Sequence, residues 1–139
     1  MRVIIILFIV LPVSLFGQMK DDNAIIVNEQ LPFDRIKQAL FDNGFLISNS
    51  DSAFISTSEI NLSGTSFAIK FLINKQDSIT IFKGFIKSLL EISISGVKST
   101  SEFTPITFRG SKNGDFKKGW REMDKIAKKL SQNISYFKR

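Results

Sequence analysis

The segment from Ser66 to Asn74 constrains the fold more than any other part of the chain. Large apolar residues occur there at every second position, namely Phe67, Ile69, Phe71 and Ile73. The positions between them include Ser66, Ala68, Lys70 and Asn74. Because successive side chains of a strand point to opposite faces, this alternation predicts a strand with one buried face. The turn residues 75–77 and the run from Ile79 to Phe82 predict an antiparallel partner.

Other short segments add strands to this pair. Two apolar runs, 45–47 and 53–57, flank a Ser-, Asn- and Asp-rich stretch and predict a hairpin. Residues 92–95 alternate, and residues 103–108 resemble a last strand that Pro105 would place at an edge. Residues 85–91 fit a strand or a short helix equally well. The expected total is about five strands in a mainly antiparallel sheet.

Two segments have helical spacing. Residues 32–43 begin with Pro32 and end at Asn43-Gly44, which are typical start and end signals of a helix. A longer stripe begins at about Asp115 and consists of Phe116, Trp120, Met123, Ile126, Leu130, Ile134 and Phe137. On this second helix, Asp124 and Lys128 are spaced for an ion pair. The predicted fold class is α+β, with both helices packed on one face of the sheet.

The first 17 residues predict a targeting signal. Arg2 precedes an apolar run that starts at Val3, and the polar sequence from Gln18 onwards ends it. This pattern is typical of a secretory signal peptide and is short for a transmembrane span. We therefore expect cleavage after Gly17, an exported protein that is periplasmic or secreted, and no stable membrane span after cleavage. Residues 18–29 are expected to form a polar lead, and residues 30–139 a single domain.

The chain contains no Cys and no His. It therefore lacks disulfides, thiolate or imidazole catalysis, and the usual zinc ligands. Gly114 to Gly119 has the outer spacing of a phosphate loop, but Trp120 and Arg121 follow where that loop needs Lys and Ser or Thr. Ser95 and Lys98 have the spacing of a serine acylase without its partner motifs. We expect a non-catalytic protein without a cofactor.

The positive charge is concentrated near the C-terminus. The whole chain has a net charge of +6, and residues 109–139 hold 10 basic and 3 acidic residues. A possible basic surface on the second helix comprises Lys117, Lys118, Arg121, Lys125, Lys128 and Lys129. A solvated helix face and contact with an anionic envelope component are both consistent with this pattern. Export makes nucleic acid an unexpected partner.

A sheet packed against a long helix can enclose a cavity. Its candidate lining, and the possible contact site for a ligand or partner, is Phe67, Phe71, Ile79, Ile81 and Trp120. Such residues are also what a plain hydrophobic core needs. The alternative function is therefore a carrier of a small apolar ligand in a sheet–helix cavity.

The order of elements, together with the stretch from Pro105 to Gly114 and the residues Trp120 and Ile126, resembles uncharacterised small exported bacterial α+β modules with a helix-grip or TBP-like layout. The resemblance covers about residues 30–137. It implies no catalytic residues, and it implies either binding of an unknown protein or a structural role in the envelope. We therefore expect a non-catalytic exported binding module.

Overall fold

The computed structural model describes residues 17–138, so the predicted signal peptide lies outside the described residues apart from Gly17. Within that range the chain forms two helices and ten strands. The helices are α1 (Phe33–Asp42) and α2 (Asp115–Leu130). The strands are β1 (Ala24–Val27), β2 (Ile47–Ser50), β3 (Phe54–Thr57), β4 (Ile60–Asn61), β5 (Phe67–Gln76), β6 (Ile79–Ser88), β7 (Ile92–Ile94), β8 (Val97–Ser99), β9 (Thr104–Pro105) and β10 (Ile134–Phe137).

Eight of these strands form one antiparallel sheet, in the order β10-β1-β6-β5-β3-β2. The short β4 pairs with β5 beyond the end of β3, and β9 pairs with β6 beyond the end of β1. Strands β7 and β8 make a separate two-stranded hairpin. The α+β class and the antiparallel sheet are confirmed, whereas the expected total of about five strands was wrong. Strands of two to four residues carry too little periodicity to be counted from sequence.

The β5–β6 hairpin is the centre of the sheet. Its register pairs Ile73 with Phe82 and Ile69 with Ile86, and it runs without interruption from the turn at Asp77. Because directly opposite residues share a face, these four side chains point to the same side of the sheet. All four belong to the main hydrophobic core. The same core includes Ile36 and Leu40 of α1, and Trp120, Met123 and Ile126 of α2.

The first helix begins and ends where the sequence predicts. Pro32 occupies the N-cap position with an extended backbone, and Gly44 follows the helix with φ of +85°. The Gly44 amide donates to the carbonyl of Phe41 over 2.9 Å, and that left-handed conformation favours glycine. The chain then turns so that Phe45 enters the core, with its ring centroid 4.5 Å from that of Phe71.

The C-terminal helix is shorter than predicted. Helix α2 ends at Leu130, and Ile134 and Phe137, which we assigned to its apolar stripe, belong to strand β10 instead. This strand pairs with β1 in antiparallel register, from Val27 opposite Ile134 to Ala24 opposite Phe137. The spacing of 4 and 3 residues was misleading, because Ile, Tyr and Phe also favour strands and the backbone hydrogen bonds of β1 were available.

The predicted polar lead contains an inner strand. Strand β1 lies between β6 and β10, and its four residues are all buried. The structure thus differs here from the expected division at residue 30, since residues 24–27 form part of the sheet. A four-residue apolar patch is compatible with an edge strand or a tether until its neighbours are known, and both neighbours of β1 come from distant parts of the sequence.

Candidate functional site

The five residues predicted to line a sheet–helix cavity do not lie together. Phe71 and Trp120 are fully buried in the main core, and Phe67 packs against that core while partly exposed. Ile79 and Ile81 point to the opposite face of the sheet. There they form a second cluster with Ala24 and Ile26. In the sequence Ile79-Thr80-Ile81-Phe82 both faces carry large or β-branched side chains, so the pattern alone could not tell which face meets the helices.

The space between β6 and α2 is closed by an isoleucine that sequence analysis missed. Ile106 is fully buried next to two glycines, Gly84 on β6 and Gly119 on α2. A Cβ atom added to Gly84 would lie 2.7 Å from the Cδ1 atom of Ile106, and one added to Gly119 would lie 3.0 Å from the same atom. These distances are shorter than ordinary packing contacts. The absence of a side chain at Gly119 is therefore what allows α2 to approach Ile106.

The basic surface predicted on α2 is present, but some of its cationic side chains already interact with other groups of the protein. Arg121, Lys125, Lys128 and Lys129 are exposed, whereas Lys117 and Lys118 are half-buried. The Lys128 ammonium lies 2.6 Å from Asp124, as the sequence predicts. The Lys117 ammonium lies 4.8 Å from the centroid of the Phe108 ring, and Arg121 donates to the carbonyl of Lys112.

A buried carboxylate ties the two ends of the described chain to α2. Asp124 accepts a hydrogen bond from the Tyr136 hydroxyl at 2.8 Å and a weaker one from the Gln18 amide at 3.4 Å. The hydrogen bond to Asp124 raises the pKa of Lys128, and burial raises the pKa of Tyr136. The Asp124 oxygens are occupied by these three donors. The arrangement fixes β10 and the segment at Gln18 to the helix.

Three charged residues of α2 border a polar cleft of about 310 Å³. Lys118, Arg121 and Glu122 form one wall, and Asn61 and Ser63 belong to the opposite one. The Glu122 carboxylate shares this lining with the two cations. The cleft therefore offers amide and hydroxyl groups to a polar ligand without a strong excess of charge.

The hairpin of β7 and β8 exposes a cluster of large apolar side chains. Ser95 and Gly96 form its two-residue turn, with φ of 52° and 80°, the left-handed values that such tight turns require. Ile94 lies opposite Val97 and Ile92 opposite Ser99, so the three apolar side chains share one face. They are exposed by 61% (Ile92), 71% (Ile94) and 70% (Val97).

The remaining residues of this segment make the hairpin amphipathic. Ser93 lies opposite Lys98 on the second face, and the Lys98 ammonium pairs with Glu91 at 3.4 Å. Leu89 and Leu90, which lead into the hairpin, are exposed as well. Five of the nine exposed large hydrophobic residues of the described chain thus lie between positions 89 and 97. Single exposed apolar residues are common, but such a concentration is typical of an interaction site.

A groove crosses the sheet face opposite to the main core. Its volume is about 340 Å³, and it is lined by Ser56, Lys70, Phe71, Leu72, Phe85 and Phe103. Lys70 lies opposite Phe85 in the β5–β6 register, and Leu72 lies opposite Lys83. Phe103 reaches this face from the segment after β8, with its ring centroid 4.1 Å from the Lys70 ammonium and 4.8 Å from that of Lys87. The sequence signal for this groove was Lys70 on the unburied face of the predicted β5, whereas on β6 the groove residue Phe85 shares its face with Ile79 and Ile81, which we had assigned to the cavity lining.

Within residues 17–138, no group of three or more Asp or Glu side chains is placed to hold a metal ion. In the same range no helix is both long and apolar enough to cross a membrane. Comparison of the chain with models of protein families, with curated proteins and with solved structures found no match. The resemblance to helix-grip modules therefore stays a prediction, and the function has to be argued from the geometry described above.

Proposed function

We propose that this protein is a non-catalytic exported module that binds a protein partner through the apolar face of the β7–β8 hairpin. The single observation that carries the proposal is the concentration of exposed Ile92, Ile94 and Val97 on one face of a projecting hairpin. Keeping such side chains in water costs about 1.5–3 kcal/mol each relative to full burial. A partner with an apolar groove would recover much of that free energy.

The second face of the hairpin favours a protein over a purely lipidic surface. Lys98 is paired with Glu91, so the hairpin itself has no excess positive charge to attract anionic lipids. Its polar face with Ser93 and Lys98 is suited to remain in water while the apolar face is covered. This is the usual division of a protein interface into an apolar centre and a polar rim.

The basic surface of α2 is suited to attract a partner by long-range electrostatic interaction. Arg121, Lys125 and Lys129 are exposed and remain unpaired with any carboxylate within the described chain. We propose that they steer the module towards an acidic partner or an anionic envelope component, because exposed charges raise association rates more than they raise affinity.

We also propose that both helices cover the same face of the sheet. Support comes from Ile36 and Leu40 of α1 and from Met123 and Ile126 of α2, which share the main core with the alternate residues of β5 and β6. Under this arrangement the predicted ligand cavity between sheet and helix has little room, since Ile106 fills the space beside Gly84 and Gly119. Binding through surfaces is then the better explanation of how this fold works.

The test is native co-purification from the exporting cell, followed by mass spectrometry. The double variant Ile94→Ser/Val97→Ser removes the apolar face, and Leu46→Ser is the matched control because Leu46 is similarly exposed elsewhere on the surface. We expect a protein that co-purifies with the unmodified chain and with Leu46→Ser but not with the double variant. Equal recovery from all three chains would show that the hairpin is not the binding surface.

A photo-crosslinking residue at position 94 gives an independent readout. A crosslink from this position to the recovered protein supports direct contact. Crosslinks only to lipid, together with sedimentation on anionic vesicles that depends on Ile94, would replace the protein partner by a membrane surface. Thermal unfolding of each variant provides the control for folding, and exposed positions of this kind are expected to change stability by no more than about 0.5 kcal/mol.

A further inference from the structure

The face of the sheet opposite to the main core has a pronounced excess of positive charge next to aromatic rings. Lys70 of β5 and Lys83 and Lys87 of β6 all lie on this face. Each of them directly follows a strand residue whose side chain belongs to the main core, namely Ile69, Phe82 and Ile86. The Lys87 ammonium is neutralised by Glu59 at 2.6 Å. Within the described residues, no carboxylate lies within ion-pair distance of the ammonium of Lys70 or Lys83.

Lys70 is held at the wall of the groove and does not extend freely into water. Its ammonium lies 4.1 Å from the centroid of the Phe103 ring, and the residue is half-buried. An ammonium over a ring face is attracted by the negative face of the ring, so the cation is held beside Phe103. A fixed cation beside an apolar surface favours a ligand that carries both an anionic group and a hydrocarbon part.

The remaining lining fits that hydrocarbon part. Leu72, Phe85 and Phe103 are all half-buried and present apolar surface to the groove. The volume of about 340 Å³ lies at the lower end of the range for small-molecule sites, which begins at about 300 Å³. The groove is therefore suited to one short chain and is too small for a folded partner domain.

From these contacts we infer that the groove binds a single-chain anionic amphiphile. The chain lies over Leu72, Phe85 and Phe103, and the carboxylate lies against the ammonium of Lys70. Charge complementarity selects this ligand over a neutral one, because Lys70 lacks a protein carboxylate. This site is separate from the β7–β8 hairpin, so it neither depends on the partner-binding proposal nor supports it.

The experiment is calorimetric titration of the full chain with dodecanoate and with dodecanol as the uncharged probe. Two variants are compared with the unmodified protein, Lys70→Gln in the groove and Lys37→Gln on α1 as the matched control. We expect saturable binding of dodecanoate that Lys70→Gln weakens about tenfold and Lys37→Gln leaves unchanged, because only Lys70→Gln removes the charged donor to the ligand carboxylate. Dodecanol is expected to bind more weakly, with no dependence on Lys70.

A third variant, Leu72→Asn, tests the apolar wall. It should weaken both probes, because it replaces the chain-contacting surface by an amide. Near-ultraviolet circular dichroism of each variant shows whether the fold is kept. Absence of saturable dodecanoate binding to the unmodified protein would overturn the proposal, and so would equal affinity of Lys70→Gln for dodecanoate. Binding that is equal in all variants would show non-specific adsorption, which also overturns it.

Discussion

A glycine on the central strand provides the sharpest test of how tightly the sheet and helix α2 are packed. Gly84 faces the main core, and a Cβ atom at this position would lie 2.7 Å from Cδ1 of Ile106 and 3.3 Å from two ring atoms of Phe71. The Ile106 side chain is fully buried, and Gly119 of α2 limits it from the other side. The terminal methyl group of Ile106 therefore has little room to move away from a new methyl group in the Gly84→Ala variant.

The expected magnitude follows from two opposing terms. In a strand without contacts, Gly→Ala would stabilise by about 0.5–1 kcal/mol, because alanine loses less backbone entropy on folding. Forcing an extra methyl group into a filled core costs about 1–3 kcal/mol. The difference between these terms spans about 0–2.5 kcal/mol, and we expect Gly84→Ala to lower the free energy of unfolding by about 1 kcal/mol, near the middle of that span.

A second substitution isolates the contact. Ile106→Val removes the Cδ1 atom and by itself should cost about 0.5–1.5 kcal/mol. In the double variant the shortest contact of the new Cβ atom is gone. The double variant should therefore lose less stability than the two single variants together, with a coupling of about 1 kcal/mol.

Equilibrium unfolding in urea measures all four proteins. The single Trp120 is buried in the core beside Phe108 and Tyr136, so its fluorescence reports the loss of this packing. Strictly additive costs, or a Gly84→Ala protein that is as stable as the unmodified one, would refute the packing argument. Either result would mean that there is space between β6 and α2, and it would favour the predicted ligand cavity again.

Three further outcomes are expected from the polar cluster and the chain start. Asp124→Ala should lower the free energy of unfolding by about 1–3 kcal/mol, because Tyr136 and Lys128 lose their acceptor, whereas the neighbouring Glu122→Gln should stay within about 0.5 kcal/mol in the same urea assay. The pKa of Lys128 is raised above 10.5 and that of Tyr136 above 10.0. The stability that these two groups contribute is therefore complete below those values and is lost as the pH rises through the folded pKa values. Urea midpoints that do not fall above pH 10 would contradict this. N-terminal sequencing of the exported protein should begin at Gln18, and finding Met1 there would contradict cleavage.

The long periodic segments were predictable because their patterns are local. The alternation around Phe71 identified β5, and the end signals around Pro32 and Gly44 identified α1 almost to the residue. The sixteen residues of α2 followed the first part of the predicted stripe as well. In each case the residues that decide the element are neighbours in sequence, so the composition of a short window contains the necessary information.

The candidate sites were harder to predict, because each depends on contacts between distant residues. Phe103 reaches the groove from a segment that was predicted as an edge strand, and only the folded chain brings its ring over Lys70. The hairpin residues Ile92 and Ile94 looked like ordinary strand residues with a buried face. They are exposed because β7 and β8 pair only with each other and do not join the eight-stranded sheet.

The sequence by itself determined the class of this fold, its two helices, its central hairpin and its lack of Cys and His chemistry. The tertiary structure decided that residues 24–27 form an inner strand and that Ile134 to Phe137 leave the helix to pair with them. It also decided which side chains of β6 join the main core, placing Phe82 in that core and Ile81 in the second cluster on the other face. The physical reason is that strands satisfy their backbone hydrogen bonds with partners far along the chain, whereas a helix satisfies its own within four residues.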